Sequence, residues 1–206
     1  LWDEFRTASM VRSRQPELLE ADLAPLLLEL FAWGIRDPFS IEWIDAPPRG
    51  HVQQGCDLLK MLNAIAEDNR ITEAGKEMVK LPTHPRIAHM LVAYANNSTL
   101  AALACDLAAV LEERDPLDRS AGADIRLRLE ELIRHRSNQQ GRGERQVFER
   151  MERLSSMWRR LIKLEKPPQF LPKEPVEGML LATAYPDRVG RQIEHHGHRY
   201  KFANGR

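Results

Sequence analysis

Apolar residues along the chain recur mostly at helical spacing, and the breaks between them fall at proline, glycine and capping residues. The first helix is predicted to open at Asp22 as N-cap, with Pro25 still in its first turn where a missing N–H costs little. Leu23, Leu26, Leu27, Leu30 and Phe31 form its stripe, and Gly34 is expected just past its end. Leu28 lies off that stripe, so the helix should be covered on more than one side. Ser40–Ile44 reads as a short strand, broken by Ala46-Pro47-Pro48. A second helix carries Val52, Cys56, Leu59 and Leu62, widened by Leu58, Met61 and Ile65. Glu67-Asp68-Asn69 reads as a turn and Arg70-Ile71-Thr72 as a strand, and Thr72 should cap a small helix running through Val79. Helix, strand, helix, turn and strand in this order are the parts of a winged helix.

Beyond Pro82 and Pro85 the pattern is helical throughout. Stripes at Ile87, Met90, Leu91 and Tyr94, then at Leu100, Leu103, Leu107, Val110 and Leu111, are followed by Ile125, Leu129, Leu132 and Ile133. The fourth stripe is Val147, Phe148, Met151, Leu154, Trp158, Leu161 and Ile162. Four amphipathic stripes with short connections predict a helical bundle. Pro167, Pro168, Pro172 and Pro175 exclude a helix and predict a stiff linker. A short helix at Val176–Ala184 and an alternating strand at Arg199–Phe202 follow. The chain opens without Met and closes on Asn204-Gly205 with no return strand, so a fragment of a longer protein is expected.

Composition adds a charge asymmetry. Thirty basic and thirty acidic residues cancel overall, but Glu17–Asp68 is acidic and Arg126–Lys166 is basic. A polyanion surface is therefore expected on one side only. Cys56 and Cys105 lie within apolar patterns, without metal-ligand spacing, as suits a reducing, cytoplasmic setting. No apolar run is long enough to span a membrane, and the N-terminus does not read as a signal peptide.

Candidate chemistry is sparse. Gly50-His51-Val52-Gln53-Gln54-Gly55 has phosphate-loop glycine spacing, but Cys56 and Asp57 stand where that chemistry needs Lys and Ser or Thr. Gly141-Arg142-Gly143-Glu144-Arg145 reads as a flexible basic loop, and His195-His196-Gly197-His198 as a turn between strands rather than a metal site. No catalytic or metal-binding set stands out. The candidates that remain are Arg126, Arg128, Arg134, Arg136, Arg142 and Arg145, expected to contact a phosphate backbone. Arg159, Arg160 and Lys163 would extend the patch.

Several segments together resemble the HrpB-type bacterial DEAH-box helicases. They are Pro16–Leu26 (P-E-L-L-E-A-D-L-A-P-L), Trp43–Pro48 (W-I-D-A-P-P), Leu81–Leu91 (L-P-T-H-P-R-I-A-H-M-L), Glu112–Leu117 (E-E-R-D-P-L), Ala184–Arg188 (A-Y-P-D-R) and Ala203–Arg206 (A-N-G-R). The resemblance implies a mainly α chain: a winged-helix unit at 17–81, a ratchet-like helical bundle at 82–166, and a Pro-rich linker with a partial C-terminal α+β segment at 167–206. Residues 1–16 would be the tail of the second motor domain. It also implies motor domains elsewhere that use ATP and magnesium, no cofactor in this segment, and single-stranded nucleic acid, RNA before DNA, as partner alongside those motor domains. A winged-helix DNA-binding regulator is the first alternative. It needs a basic recognition helix, and His51–Ile65 offers only Lys60. A protein-interaction scaffold built on Leu23–Trp33 is the second.

Overall fold

The structure, a computed structural model, describes residues 3, 6, 16–139, 141–193, 199–203 and 205. Among these, eight α-helices precede one two-stranded hairpin: α1 Ala24–Ala32, α2 Arg49–Met61, α3 Glu73–Val79, α4 Pro85–Tyr94, α5 Ser98–Glu112, α6 Ile125–Arg136, α7 Arg145–Leu161, α8 Glu177–Ala184, β1 Gly190–Gln192 and β2 Tyr200–Phe202. The chain is thus mainly α, with the small α+β segment at its C-terminal end. The expected histidine turn at 195–198 lies outside the described residues.

The part of the chain from 17 to 81 forms as its caps dictate. Asp22 accepts a hydrogen bond from Ala24 N (2.9 Å), starting α1. Gly34 ends it at φ 90°, where Ile35 N reaches Leu30 O (3.1 Å) and Gly34 N reaches Phe31 O (3.1 Å). Leu28 is buried together with Leu27, so α1 is covered on two sides. Gly55 lets α2 lie directly on α1, since a Cβ there would come within 2.5 Å of Leu27 Cδ1. The glycines of the phosphate-loop spacing are therefore helix residues, one of them a packing contact. Two strands are corrected. Ser40–Ile44 is not a strand: Asp37 caps a single turn at Pro38–Ser40, and the Trp43 indole donates to Pro38 O (2.8 Å) instead of a ladder forming. Arg70–Thr72 shrinks to one antiparallel bridge, Ile65 with Ile71, flanked by Thr72 N to Ala64 O (3.0 Å). Thr72 Oγ1 then accepts from Gly75 N (3.0 Å) and starts α3.

In the bundle α5 is central, buried from Ala101 to Val110 and packed chiefly on α7. Its alanines allow that close approach. Helix α4 packs against α3 on one side and α5 and α8 on the other, so one core runs from Leu23 to Ala184. The α7 stripe is corrected too. Ser155 and Arg159 point inward beside Val147, Phe148, Met151 and Trp158, whereas Leu161 is 47% exposed. The cause is Asp106 on α5, a carboxylate buried among apolar neighbours. It accepts from Ser155 Oγ (2.6 Å), Arg136 Nη2 (2.8 Å) and Arg159 Nη1 (3.3 Å).

Candidate nucleic-acid interface

The six arginines singled out by charge differ in what they touch. Arg128 and Arg136 serve the fold. Arg128 is buried and donates to both Asp115 carboxylate oxygens (2.6 and 3.2 Å). Arg136 joins Asp106 to Glu152. Burial would raise the Glu152 carboxyl, but Arg136 and then Arg159 outweigh it and hold Glu152 below its ordinary range. Arg126 binds the buried Glu177 (2.6 Å) and Pro172 O (2.8 Å), which fastens α8 and the proline linker to α6. Arg134 is half exposed on Glu131 (2.8 Å). Arg142 and Arg145 face solvent. Arg145 is 81% exposed and meets Glu149 at 3.0 Å, an exposed pair of the kind that contributes little and exchanges readily. Arg142 lies near Asp118, whose carboxyl is held low first by the Ser120 hydroxyl and more weakly by Arg142.

Arg142 and Arg145 line a cleft of about 210 Å³ between the end of α6 and the start of α7, with His135, Asn138, Gln139 and Phe148. Its walls are set by backbone geometry. Asn138, at φ 53°, ends α6 with Gln139 N on Arg134 O (3.0 Å). Arg142 N donates to the buried Glu131 (2.9 Å), and Glu144 N to Pro116 O (3.1 Å). Gly143 sits at φ 97°, where a Cβ would come within 2.7 Å of Pro116 O. The described residues of this loop are thus tied to the bundle, which differs from the flexible loop read from its glycines. The ring of His135 stacks on Phe148 (5.6 Å between centroids). Helix α7 starts without a side-chain cap, so its positive dipole end opens at the same loop.

The other polar residues with structural consequence form joints. Arg86 donates to both Asp187 oxygens (2.5 and 3.0 Å), and its guanidinium lies over the Tyr185 ring (5.2 Å). His84 takes Arg86 N on Nδ1 (3.2 Å), which leaves Nε2 to donate to Asp22 (3.1 Å). Thr83 donates to Glu112 (2.6 Å), and His89 donates to Thr183 O (3.0 Å). Four of the sequence segments quoted above therefore meet around the start of α4. The Arg86 hydrogen bond, ahead of every other influence, holds the Asp187 carboxyl below its ordinary 3.8. A carboxyl lowered by folding stabilises the fold above its ordinary value, and that stability is lost as pH falls through the lowered one. Asp187→Asn should therefore flatten the acid limb of a urea-midpoint titration below about pH 4. An unchanged limb would mean that the joint carries no linkage.

The comparisons agree with this arrangement. Residues 57–83 match the helicase associated domain (HA2), winged-helix family. The chain is 43% identical over 99 residues to the ATP-dependent RNA helicase HrpB of Escherichia coli K12, a match covering 48% of this chain and 12% of that protein. It is 31% identical over 103 residues to the ATP-dependent RNA helicase HrpA homolog of Haemophilus influenzae, covering 47% of this chain and 8% of that protein. A crystal structure of the Escherichia coli DEAH/RHA helicase HrpB superposes with a TM-score of 0.72 at 29% identity, over 98% of this chain and 23% of that one. The chain thus spans a small fraction of the relatives it matches. Fold and sequence together liken the chain to the helicase-associated region of DEAH-box helicases. Among the members of that class, the HrpB type is the one it resembles both in sequence and over nearly its whole fold.

Proposed function

We propose that this chain is the accessory region of an ATP-dependent RNA helicase, and that its bundle holds single-stranded RNA while motor domains elsewhere in a longer polypeptide hydrolyse ATP. The observation that carries this reading is the structural likeness to HrpB over 98% of the chain, winged helix and bundle together. Nucleotide and magnesium belong to the motor in this proposal. The glycines at 50 and 55 lie in α2, with Gly55 pressed against Leu27, and cannot cradle phosphates. Arg142 and Arg145, beside the uncapped α7 terminus, are the proposed phosphate contacts, and Arg134, near the end of α6, lies against Gly141 of the same loop. A cytoplasmic setting is part of the proposal, supported by two buried, unpaired cysteines. Among the described residues no helix is long and apolar enough to cross a membrane.

The test is a titration of labelled single-stranded RNA with the chain across a salt series. Each lost phosphate contact should flatten the log–log salt slope by about 0.7. Arg142→Ala/Arg145→Ala should lower it by about 1.4, equivalent to about 25-fold in affinity at 0.1 M salt. An unchanged slope would remove these two residues from the interface, and no binding at low salt would overturn the holding role.

A further inference from the structure

The hairpin that ends the described chain has a feature that its own stability does not call for. Strands β1 and β2 pair antiparallel, with Arg191 directly opposite Lys201. Side chains at directly opposed positions lie on one face with Cβ atoms about 5 Å apart, and like charges there destabilise the ribbon. Strand alternation adds Arg199 to the same face, since Ile193 N donates to Arg199 O (3.0 Å) just beyond the ladder. Among the described residues from 188 to 203 there is no carboxylate, and no described residue forms an ion pair with Arg191, Arg199 or Lys201. The opposite face carries Tyr200 and Phe202, with Phe202 reaching across Gly190. Arg191, Arg199 and Lys201 are all exposed.

The base of the ribbon is nevertheless held in place. The Arg86–Asp187 pair fixes the turn at Pro186–Arg188 immediately before β1, and Arg188 stacks on Tyr185 (5.0 Å) from that turn. A concentrated positive face on a ribbon fixed at its base, without an ion-pair partner among the described residues, fits an external polyanion. We infer that the Arg191–Arg199–Lys201 face of the hairpin is a second phosphate-backbone contact, binding single-stranded RNA separately from the α6–α7 cleft. The inference rests on the reading of the chain as an RNA-holding region, and it adds a surface to that reading.

The experiment uses the whole chain and a labelled 20-nucleotide oligouridylate. Arg191→Gln/Lys201→Gln should flatten the salt slope by about 1.4 and weaken binding about 25-fold at 0.1 M salt. Arg191→Glu separates binding from stability. It places opposite charges across the ladder, so the thermal midpoint should hold or rise while RNA affinity falls; a purely structural role moves affinity and stability together. Wild-type-like affinity and slope in both variants, with the parent chain still binding RNA, would overturn the hairpin contact and leave the cleft reading standing. Absence of RNA binding by the parent chain at low salt would overturn both. Tighter binding of polyglutamate than of RNA would also overturn it, because the face would then be one for an acidic protein.

Discussion

Replacing Asp106 with Leu should cost the fold about 3–5 kcal/mol, the range for removing one partner from a buried ion pair. Asp106 is 1% exposed on α5, and two guanidiniums and a hydroxyl converge on it. Burial pushes its carboxyl upward, while Arg136, Ser155 and Arg159 pull it back. Without Asp106, Arg136 and Arg159 would keep neutral partners and share the Glu152 carboxylate, itself 30% exposed, so two buried positive charges would face one negative charge. Domains are stable by only about 5–15 kcal/mol, so the denaturant midpoint should drop far enough to read directly. The quadruple replacement Asp106→Leu/Arg136→Met/Glu152→Gln/Arg159→Met should recover most of the loss, because it removes the charges together. A single-variant loss below about 1 kcal/mol would show that the network is not desolvated as its burial implies.

Gly75→Ala should be the other severe change, costing about 2 kcal/mol net. A Cβ at Gly75 would collide with the carbonyl oxygen of Ala64 and approach Ile71 Cγ1 at 2.8 Å. That carbonyl is held against retreat because it accepts from Thr72 N (3.0 Å), while the Thr72 hydroxyl holds the neighbouring Asn63 O (2.6 Å). The helical preference for Ala returns up to about 1 kcal/mol, whereas overpacking against a fixed backbone costs about 1–3 kcal/mol or more. The collision therefore wins. For a chain of this size the melting temperature should fall by about 4–8 °C. A rise would mean that the small bridge at Ile65–Ile71 yields and that this segment is not rigid.

The residues that carry these effects show which features were legible in the sequence. Asp22, Gly34, Thr72 and the helix stripes were readable because caps and periodicity act within a few residues. The strand read at Ser40–Ile44 failed because alternation supplies side chains but not a partner, and the Trp43 indole found Pro38 O instead. The α7 stripe failed at Ser155, Arg159 and Leu161 because a buried acid on another helix reversed the usual sorting of polar and apolar positions. One signal of that acid was available: Asp106 falls between Leu103 and Leu107, inside an otherwise apolar helix.

Charge clustering along the chain brought out Arg126, Arg128, Arg134, Arg136, Arg142 and Arg145 as one group. Only the tertiary structure separated Arg128 and Arg136, which neutralise Asp115 and Asp106, from Arg142 and Arg145, which face solvent. The same holds for Arg86 and Asp187, 101 positions apart, and for Arg191 opposite Lys201. Helix starts, helix ends and the order of units follow from local chemistry, so the sequence by itself determined them. Which charge meets another charge and which is left for a ligand depends on distances between remote segments, and packing of the helices alone decided it.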